Sequence, residues 1–278
     1  MSTVQTGAPR VLQVSRSVID GGFDYHSEIA RGLAEHGAEV CTVFQRGRMS
    51  ARKQQAFPGK VSCLDASRLR RYKNKIWLTL ALLKALHGRP QDLAVCHHMT
   101  PARAVHPLLR IGLVKRAVQV VHDYDYFDPA DKHGHRRNRF LTKALRHPWH
   151  LVGVSQAICS NLRTQLTALP IERCRVIHNA IDADALERRL LSRADARSAL
   201  GLQTGDFVFG TVGRLVGFKA HDDLIDAFAR AHRDMPTARL IIIGRGPLES
   251  SLKDQLAAAG LQDRVLIHGF LDDAARYM

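Results

Sequence analysis

The chain has 278 residues, of which 45% are hydrophobic, enough for one large or two medium domains with ordinary cores. Its net charge of +15 is unevenly placed, since residues 1–180 hold 28 Lys and Arg against 12 Asp and Glu, whereas residues 181–278 hold 13 against 14. A basic first half implies an anionic partner such as membrane lipid, nucleic acid or a charged substrate. The longest apolar run, 76–83, is too short to cross a bilayer, and the N-terminus lacks the apolar core of a signal peptide.

Short apolar strands and helical patterns alternate along the chain. In the first half, the pattern predicts seven strands, at 10–15, 38–44, 61–64, 93–96, 117–121, 151–154 and 175–177. It predicts helices after the first strand, at 24–36, and after the sixth, at 155–166. The second half predicts strands at 207–212, 239–243 and 264–267, and helices at 195–200, 221–234, 248–259 and from 272 onward. Ser155 is a natural N-cap, because its hydroxyl can accept a hydrogen bond from an unpaired N–H of the first turn.

This alternation predicts two doubly wound α/β domains, each built on a parallel sheet with helices on both faces. The pattern restarts after a polar stretch, so we place the first domain at 1–182, a linker region at 183–205 and the second domain at 206–278. The chain ends at Met278, inside a predicted helix, and only three strands are predicted for the second sheet. We therefore expect the second domain to be incomplete and the chain to be truncated at its C-terminus.

Cysteine usage indicates a reducing compartment, and hence the cytoplasm. The five cysteines form no Cys-x-x-Cys pair and lie mostly in apolar runs, which predicts buried free thiols: Cys41, Cys63, Cys96, Cys159 and Cys174. No set of His, Cys and carboxylate residues has the spacing of metal ligands. His97 and His98 are adjacent, so their rings should point apart on a strand, and we interpret them as structural or acceptor-side groups.

Two strand-to-helix loops of the second half are the most informative motifs. The first carries Arg214 and Lys219, and the second carries Gly244, Gly246 and Pro247. Arginine offers a planar fork to phosphate oxygens, lysine adds a point charge, and glycine allows a close backbone approach, while the following helix presents N–H groups. Both loops would open at the carboxyl edge of one parallel sheet, and they predict a site for a nucleotide diphosphate. The alternative is that both cations are solvated loop residues.

The order of these and other motifs resembles the GT-B fold retaining glycosyltransferases of family 4, which build bacterial lipopolysaccharide and other surface glycans. The motifs span nearly the whole chain: Asp20-Gly21-Gly22, Val121-His122-Asp123, Val154-Ser155-Gln156-Ala157, Val176-Ile177-His178-Asn179-Ala180-Ile181-Asp182, Gly213-Arg214-Leu215 with Lys219, Gly244-Arg245-Gly246-Pro247, and Arg264-Val265 with Gly269. The resemblance implies two Rossmann-like domains and sugar transfer from a UDP- or GDP-sugar with retention at the anomeric carbon.

The resemblance also implies roles for individual residues. His122 would contact the donor sugar, Asp123 would orient or activate the acceptor hydroxyl, and Arg214 and Lys219 would stabilise the charge of the leaving diphosphate. Backbone groups of the glycine-containing motifs would complete the donor site: Gly21, Gly22, Gly244, Gly246 and Pro247. Neither a metal nor a cofactor is implied.

The chain departs from the family pattern in three places. Ala180 and Ala220 stand where the family has glycine. The chain also ends before the position of the family's glutamate pair, E-x7-E, which grips the donor sugar and ribose. A truncated remnant that binds a membrane or a partner without catalysis is therefore an alternative to an active enzyme.

The basic first half suits a membrane surface. Residues 46–75 carry ten Lys and Arg against one acid, Asp65, and Trp77 follows in a leucine-rich segment. A second cluster lies further along: Arg136, Arg137, Arg139, Lys143 and Arg146. Cations beside an apolar helix with an interfacial tryptophan favour anionic lipid, so we expect peripheral docking on the inner membrane, where a lipid-linked acceptor would be reached. The alternative is a core helix at 76–86 beside a solvated basic face.

Two further classes of protein fit less well. The basic charge suggests a nucleic-acid-binding protein as an alternative. However, the sequence has no helix-turn-helix, zinc finger or RNA-recognition signature, and its aromatic residues are not interleaved with the cations. A dinucleotide-dependent oxidoreductase would need the full G-x-G-x-x-G fingerprint. We therefore predict a glycosyltransferase whose partners are a nucleotide sugar, a lipid-linked glycan acceptor and an anionic membrane, without nucleic acid.

Overall fold

A computed structural model describes residues 7–17, 23–46, 49, 51–64, 75–122, 134–166, 169–271 and 273–278. The chain divides into two compact units, Met1–Ile181 and Asp182–Met278. Residues 183–205, for which the sequence predicts a linker, belong to the second unit and contain two short helices.

The first unit is a parallel sheet covered by helices. Its strands are β1 (Arg10–Ser17), β2 (Glu39–Arg46), β3 (Lys60–Cys63), β4 (Gln91–His97), β5 (Val114–Val121), β6 (Trp149–Gly153) and β7 (Cys174–Val176). Its helices, within the described residues, are α1 (Phe23–Glu35), α2 (Ala51–Gln55), α3 (Lys75–Leu86), α4 (Met99–Arg110), α5 (Gly134–Ala144) and α6 (Gln156–Gln165). The strand order is β3-β2-β1-β4-β5-β6-β7, so the order reverses between β1 and β4. Ligands of such sheets bind beside the carboxyl ends of the strands at this reversal.

Both faces of the first sheet carry buried residues, which explains why its central strands have apolar residues pointing to both sides. One face contributes Leu12 and Val14 to the largest core cluster, while alternate residues of the same strand face the other side. On that other side, Val11, Val95 and Val120 form a smaller apolar cluster. The predicted N-cap is confirmed, since Ser155 Oγ accepts a hydrogen bond of 3.2 Å from the backbone N–H of Ile158.

The second unit has a three-stranded parallel sheet of order β10-β9-β8. Its elements in the described residues are α7 (Ala183–Glu187), α8 (Arg193–Ala199), β8 (Phe207–Val212), α9 (His221–Ala231), β9 (Ala238–Ile243), α10 (Glu249–Ala258) and β10 (Val265–Gly269). The helix predicted from 272 onward is a short 3-10 helix in the described residues, at Ala274–Tyr277. The predicted doubly wound α/β fold with Rossmann-like units is confirmed.

The cysteines are all free, but not all of them are buried. Cys96, Cys159 and Cys174 are buried as predicted, whereas Cys41 and Cys63 are only half-buried. The reason is their place in the sheet, since β3 is an edge strand and β2 lies next to it. Burial nevertheless raises the pKa of the Cys41 and Cys63 thiols, which keeps both of them protonated at neutral pH.

Among the described residues, no helix combines the length and the apolar character needed to cross a membrane. The exposed apolar side chains of the first unit instead include a group on α3, formed by Ile76, Trp77 and Leu80. The opposite side of the same helix, with Leu78 and Leu82, is fully buried.

Candidate donor site and histidine cluster

The loop between β8 and α9 presents two cations on a fixed backbone. Leu215, in the middle of the loop, is fully buried in the core of the second unit together with Ile225 and Phe228. Arg214 and Lys219 are both exposed. The buried leucine therefore holds the loop in place, while the two charged side chains remain accessible to a ligand.

Backbone hydrogen bonds join this loop to the one between β9 and α10. The N–H of Gly213 donates to the carbonyl oxygen of Ile243 at 2.9 Å, and the N–H of Leu215 donates to the carbonyl oxygen of Arg245 at 3.1 Å. The pairing of β8 with β9 thus continues beyond the strands, and it brings the two sequence-predicted motifs side by side at the carboxyl edge of the sheet. Pro247, the last residue of the second motif, is exposed.

The glycines of the second motif make this close approach possible. A β-carbon on Gly244 would lie 2.9 Å from the carbonyl carbon of Gly213, and one on Gly246 would lie 2.6 Å from that of Leu215. Both distances are far below van der Waals contact, so only glycine fits at either position. Gly244 and Gly246 therefore have a packing role within the unit, in addition to the donor-binding role that the resemblance implies.

His221, which the sequence analysis did not single out, supports the first loop from beneath. It is the first residue of α9, its side chain is buried, and its Nε2 lies 3.2 Å from the carbonyl oxygen of Arg214. Because a carbonyl oxygen only accepts, Nε2 donates this bond. The only available signal was a histidine at the start of a helix, which has no specific meaning by itself.

The residue before α9 occupies a backbone conformation that favours the glycine of the family pattern. Ala220 adopts the left-handed conformation, with φ of 52° and ψ of 40°. Glycine reaches this conformation without steric cost, whereas alanine pays about 1 kcal/mol. Alanine also cannot cap the helix with a side-chain acceptor, and Asp222 and Asp223 add negative charge to the first turn. Arg214 and Lys219 must therefore supply most of the positive charge of this loop.

Of the donor- and acceptor-binding residues that the resemblance implies in the first unit, only His122 lies among the described residues. Gly21, Gly22 and Asp123 lie outside the described residues. His122 follows β5 directly and is half-buried. It lies at the carboxyl edge of the sheet, close to the reversal of strand order between β1 and β4.

His122 belongs to a cluster of polar side chains on the sheet face lined by Val11, Val95 and Val120. Towards the carboxyl edge, the apolar residues of this face give way to polar ones: Gln13 and Ser15 of β1, His97 of β4, and His122 after β5. His97 Nδ1 lies 3.5 Å from His122 Nε2, and Gln13 Nε2 lies 3.5 Å from His97 Nε2. Polar residues at alternate positions of an apolar strand were a sequence signal for this cluster.

Helix α1 contributes two more members, Tyr25 and His26. Ser15 Oγ lies 2.8 Å from His26 Nε2, and the rings of His26 and His97 are 4.1 Å apart. The ring of Tyr25 meets those of His97 and His122 edge-on, with centroid separations of 5.7 and 5.2 Å. The cluster therefore joins three strands and one helix around His97.

Burial keeps Tyr25, His26 and His97 uncharged at neutral pH. It lowers the pKa of His26 to about 3, with further lowering from His122 and His98, and it lowers the pKa of His97 well below its ordinary value. Burial also raises the pKa of Tyr25 to about 12. His97 and His26 are thus neutral imidazoles, which act through hydrogen bonds rather than through charge.

The predicted separation of the His97 and His98 rings is wrong, because His98 lies beyond the end of β4. It has φ of 71°, a left-handed value that is strained for a histidine. Strand alternation no longer applies there, and both rings approach His122, with centroid separations of 5.8 Å for His97 and 6.3 Å for His98. Within the described part of the chain, no three His, Cys, Asp or Glu side chains are arranged to hold a metal.

Two family models match most of the chain. Residues 19–185 match the family described as Glycosyltransferase Family 4, and residues 192–278 match the family described as Glycosyl transferases group 1. The first match covers more than half of the chain and the second covers most of the remainder.

Two curated relatives match over part of the chain. An N-acetylgalactosamine-N,N'-diacetylbacillosaminyl-diphospho-undecaprenol 4-alpha-N-acetylgalactosaminyltransferase of Campylobacter jejuni is 30% identical over 107 residues, which are 38% of this chain and 26% of that protein. A 2-deoxystreptamine N-acetyl-D-glucosaminyltransferase of Streptomyces fradiae is 26% identical over 151 residues, which are 52% of this chain and 35% of that protein. The chain thus spans about a quarter to a third of the curated relatives it matches.

Solved structures extend the likeness to the whole chain. HepE of Anabaena, solved in complex with UDP-glucose, has a TM-score of 0.73 at 20% identity, and the match covers 96% of this chain and 70% of that protein. At this identity the likeness shows the fold, which is the GT-B fold. The match over residues 19–185, more than half of the chain, shows that the chain belongs to Glycosyltransferase Family 4, and the match over residues 192–278 is to a second glycosyltransferase family.

Proposed function

We propose that the protein transfers a sugar from a nucleotide-sugar donor to a lipid-linked surface-glycan acceptor, with retention at the anomeric carbon. The observation that carries this proposal is the pair of hydrogen-bonded loops at the carboxyl edge of the second sheet, where Arg214 and Lys219 are exposed on an anchored backbone. Support for the donor comes from HepE, whose fold is shared and which binds UDP-glucose. Support for the acceptor comes from the Campylobacter relative, whose acceptor is a diphospho-undecaprenol-linked sugar.

The chemistry of the donor loop is electrostatic. As the bond between the anomeric carbon and the diphosphate oxygen breaks, the diphosphate gains negative charge. The Arg214 guanidinium can hold two phosphate oxygens at once, and the Lys219 ammonium adds a third contact, so both bind the leaving group more tightly than the substrate. His221 holds the Arg214 backbone in position for this task.

The acceptor side of the reaction belongs to the first unit. The acceptor hydroxyl oxygen forms its bond to the anomeric carbon on the face that the diphosphate leaves, which retains the configuration, and the hydroxyl proton passes to the departing diphosphate oxygen. In this proposal His122 contacts the donor sugar and Asp123 orients or activates the acceptor hydroxyl.

Product analysis tests this function as a whole. The chain is incubated with UDP- and GDP-sugars and with a polyprenyl-diphosphate-linked sugar, and the anomeric configuration of the product is read from NMR coupling constants. We expect a glycolipid product with the configuration of the donor. An inverted product would contradict retention, and transfer to a water-soluble aminocyclitol such as 2-deoxystreptamine alone would contradict the lipid-linked acceptor.

We also propose that the first unit docks on an anionic inner membrane from the cytoplasmic side, with α3 at the lipid surface. Thr79 ties α3 to α4 through a hydrogen bond of 2.9 Å to the carbonyl oxygen of Ala104, yet Trp77 is 45% exposed and Leu80 is 48% exposed. The helix is therefore a core helix on one side and an apolar surface on the other, which suits insertion at a lipid interface. Most of the basic cluster at 46–75 lies outside the described residues or has undescribed side chains.

Vesicle flotation tests the docking. We expect the chain to float with phosphatidylglycerol vesicles at low salt, and the Trp77→Gln/Leu80→Gln variant to bind about tenfold more weakly, because two apolar side chains leave the interface. Ile111→Gln is the matched control, since Ile111 is 68% exposed in the same unit and should not matter. A wild-type chain that ignored these vesicles but bound duplex DNA would instead favour the nucleic-acid alternative.

A further inference from the structure

The orientation of the Gln13 amide is fixed by its surroundings. Its Nε2 lies 3.1 Å from the carbonyl oxygen of His26, and both groups are buried. Since a carbonyl oxygen only accepts hydrogen bonds, the amide nitrogen and not the amide oxygen must occupy this position. The same nitrogen carries a second hydrogen, and its other neighbour is His97 Nε2 at 3.5 Å.

This second hydrogen determines where His97 carries its proton. If Gln13 donates to His97 Nε2, that nitrogen is an acceptor, and the proton of the neutral ring is on Nδ1. His97 Nδ1 lies 3.5 Å from His122 Nε2, so His97 donates and His122 Nε2 accepts. The proton of a neutral His122 is then on its own Nδ1. Three side chains thus form a hydrogen-bond chain with a single direction, Gln13 to His97 to His122.

We propose that Gln13 and His97 are positioning residues that hold His122 as the neutral Nδ1–H tautomer. This proposal builds on the proposed function, in which His122 contacts the donor. It gives that contact a chemical character: His122 donates a hydrogen bond to a sugar hydroxyl or a phosphate oxygen, and it does not act as a general base, because its only acceptor nitrogen is already occupied by His97.

The surroundings of this hydrogen-bond chain support its direction from Gln13 to His122. The titratable groups that face it in the described residues are Tyr25 and His26 from α1 and His98 after β4. His97 is fully buried, and burial lowers its pKa well below the ordinary value, so a charged His97 that donates from both nitrogens is excluded at neutral pH. The ring stays neutral, and it can donate only from the nitrogen that Gln13 leaves protonated.

The tautomer of His122 can be observed directly. In the full chain labelled with 15N-histidine, multiple-bond 15N–1H correlation spectra distinguish Nδ1–H, Nε2–H and doubly protonated rings, and His122 is assigned by the signals lost in His122→Asn. We expect the Nδ1–H pattern for both His97 and His122 at pH 7. An Nε2–H or doubly protonated His122 would overturn the proposal without any activity being measured.

Two substitutions of His97 form a matched pair. An asparagine amide nitrogen can take the place of Nδ1 and still donate to His122, whereas a glutamine amide nitrogen takes the place of Nε2 and cannot. We expect His97→Asn to preserve the His122 tautomer and His97→Gln to change it. Gln13→Met, which removes the first donor at similar volume, should give a mixture of tautomers at His122. The same tautomer in His97→Gln and Gln13→Met as in the wild type would overturn the proposal.

Donor affinity separates this proposal from the proposed function. Calorimetry with UDP-glucose is expected to show about five- to tenfold weaker binding in Gln13→Met and His97→Gln than in His97→Asn, as for the loss of one hydrogen bond. If the tautomers behave as expected but no nucleotide sugar binds to the wild type, the hydrogen-bond chain stands and the proposed function fails. If UDP-glucose binds to the wild type but the His122 tautomer is the same in Gln13→Met and His97→Gln, the proposed donor binding stands and the hydrogen-bond chain fails.

Discussion

Replacing Gly246 with alanine is expected to lower the free energy of unfolding of the second unit by about 3 kcal/mol or more. A β-carbon there would lie 2.6 Å from the carbonyl carbon of Leu215 and 2.7 Å from its nitrogen. These are backbone atoms, which cannot rotate away as the end of a side chain can. The two loops are also joined by the hydrogen bond from Leu215 to Arg245, so a shift that relieves the contact must break the pairing or move both loops.

Thermal unfolding of the full chain without ligand, followed by circular dichroism, measures this effect. Gly217→Ala is the matched control, because Gly217 lies in the same loop and a β-carbon there meets nothing within 4 Å. We expect the control to change the stability by about 1 kcal/mol at most. If Gly246 serves only to admit a ligand, Gly246→Ala will unfold like the wild type, and the packing role assigned to it is wrong.

Acidification from pH 7 to pH 5 is expected to lower the stability of the first unit, by roughly 2 kcal/mol through His26, with a further loss in the same direction through His97. The pKa of His26 is about 3 in the folded chain, against the ordinary 6.5, and that of His97 is lowered well below 6.5. Below pH 6.5 the unfolded chain takes up two protons that the folded chain does not bind. Stability therefore falls as the pH falls, and the loss continues towards the folded pKa values.

Urea unfolding at pH 7, 6 and 5 tests this dependence. The chain has two tryptophans, Trp77 and Trp149, and both lie in the first unit, so tryptophan fluorescence reports the unfolding of that unit. His26→Gln should remove roughly 2 kcal/mol of the loss between pH 7 and 5, while His36→Gln, at an exposed position, should leave it unchanged. A wild-type stability that does not fall over this range would contradict the neutral, buried state of the cluster.

Much of the fold could be predicted because its signals are local. Apolar strands at regular spacing predicted the parallel sheets, and Ser155 predicted the start of α6. Helix α4 was not predicted from the sequence. Its first turn contains Pro101, Pro107 lies near its end, and His98, which has a strained backbone, precedes it. Proline fits the first turn of a helix but usually ends one, so the local pattern was ambiguous.

The candidate site could be predicted only in part, because its contacts are long-range. The sequence pointed to Arg214 and Gly246, but the packing of Gly246 against Leu215 depends on the register of two strands. In the same way, Gln13 and His97 are 84 residues apart, and only the pairing of β1 with β4 brings them together. No local pattern carries that information.

Titration calorimetry with UDP, GDP and their sugar conjugates tests the central claim most directly, which is that the Arg214 loop holds a nucleotide diphosphate. We predict micromolar binding of one of the two diphosphates, and affinity about 100-fold weaker in Arg214→Ala, since a bidentate charged contact is lost. Arg230→Ala is the control and should bind as the wild type does, because Arg230 is an exposed residue of α9, near the end of the helix away from the loop. A folded chain that binds neither diphosphate, or an Arg214→Ala variant with undiminished affinity, would contradict the account.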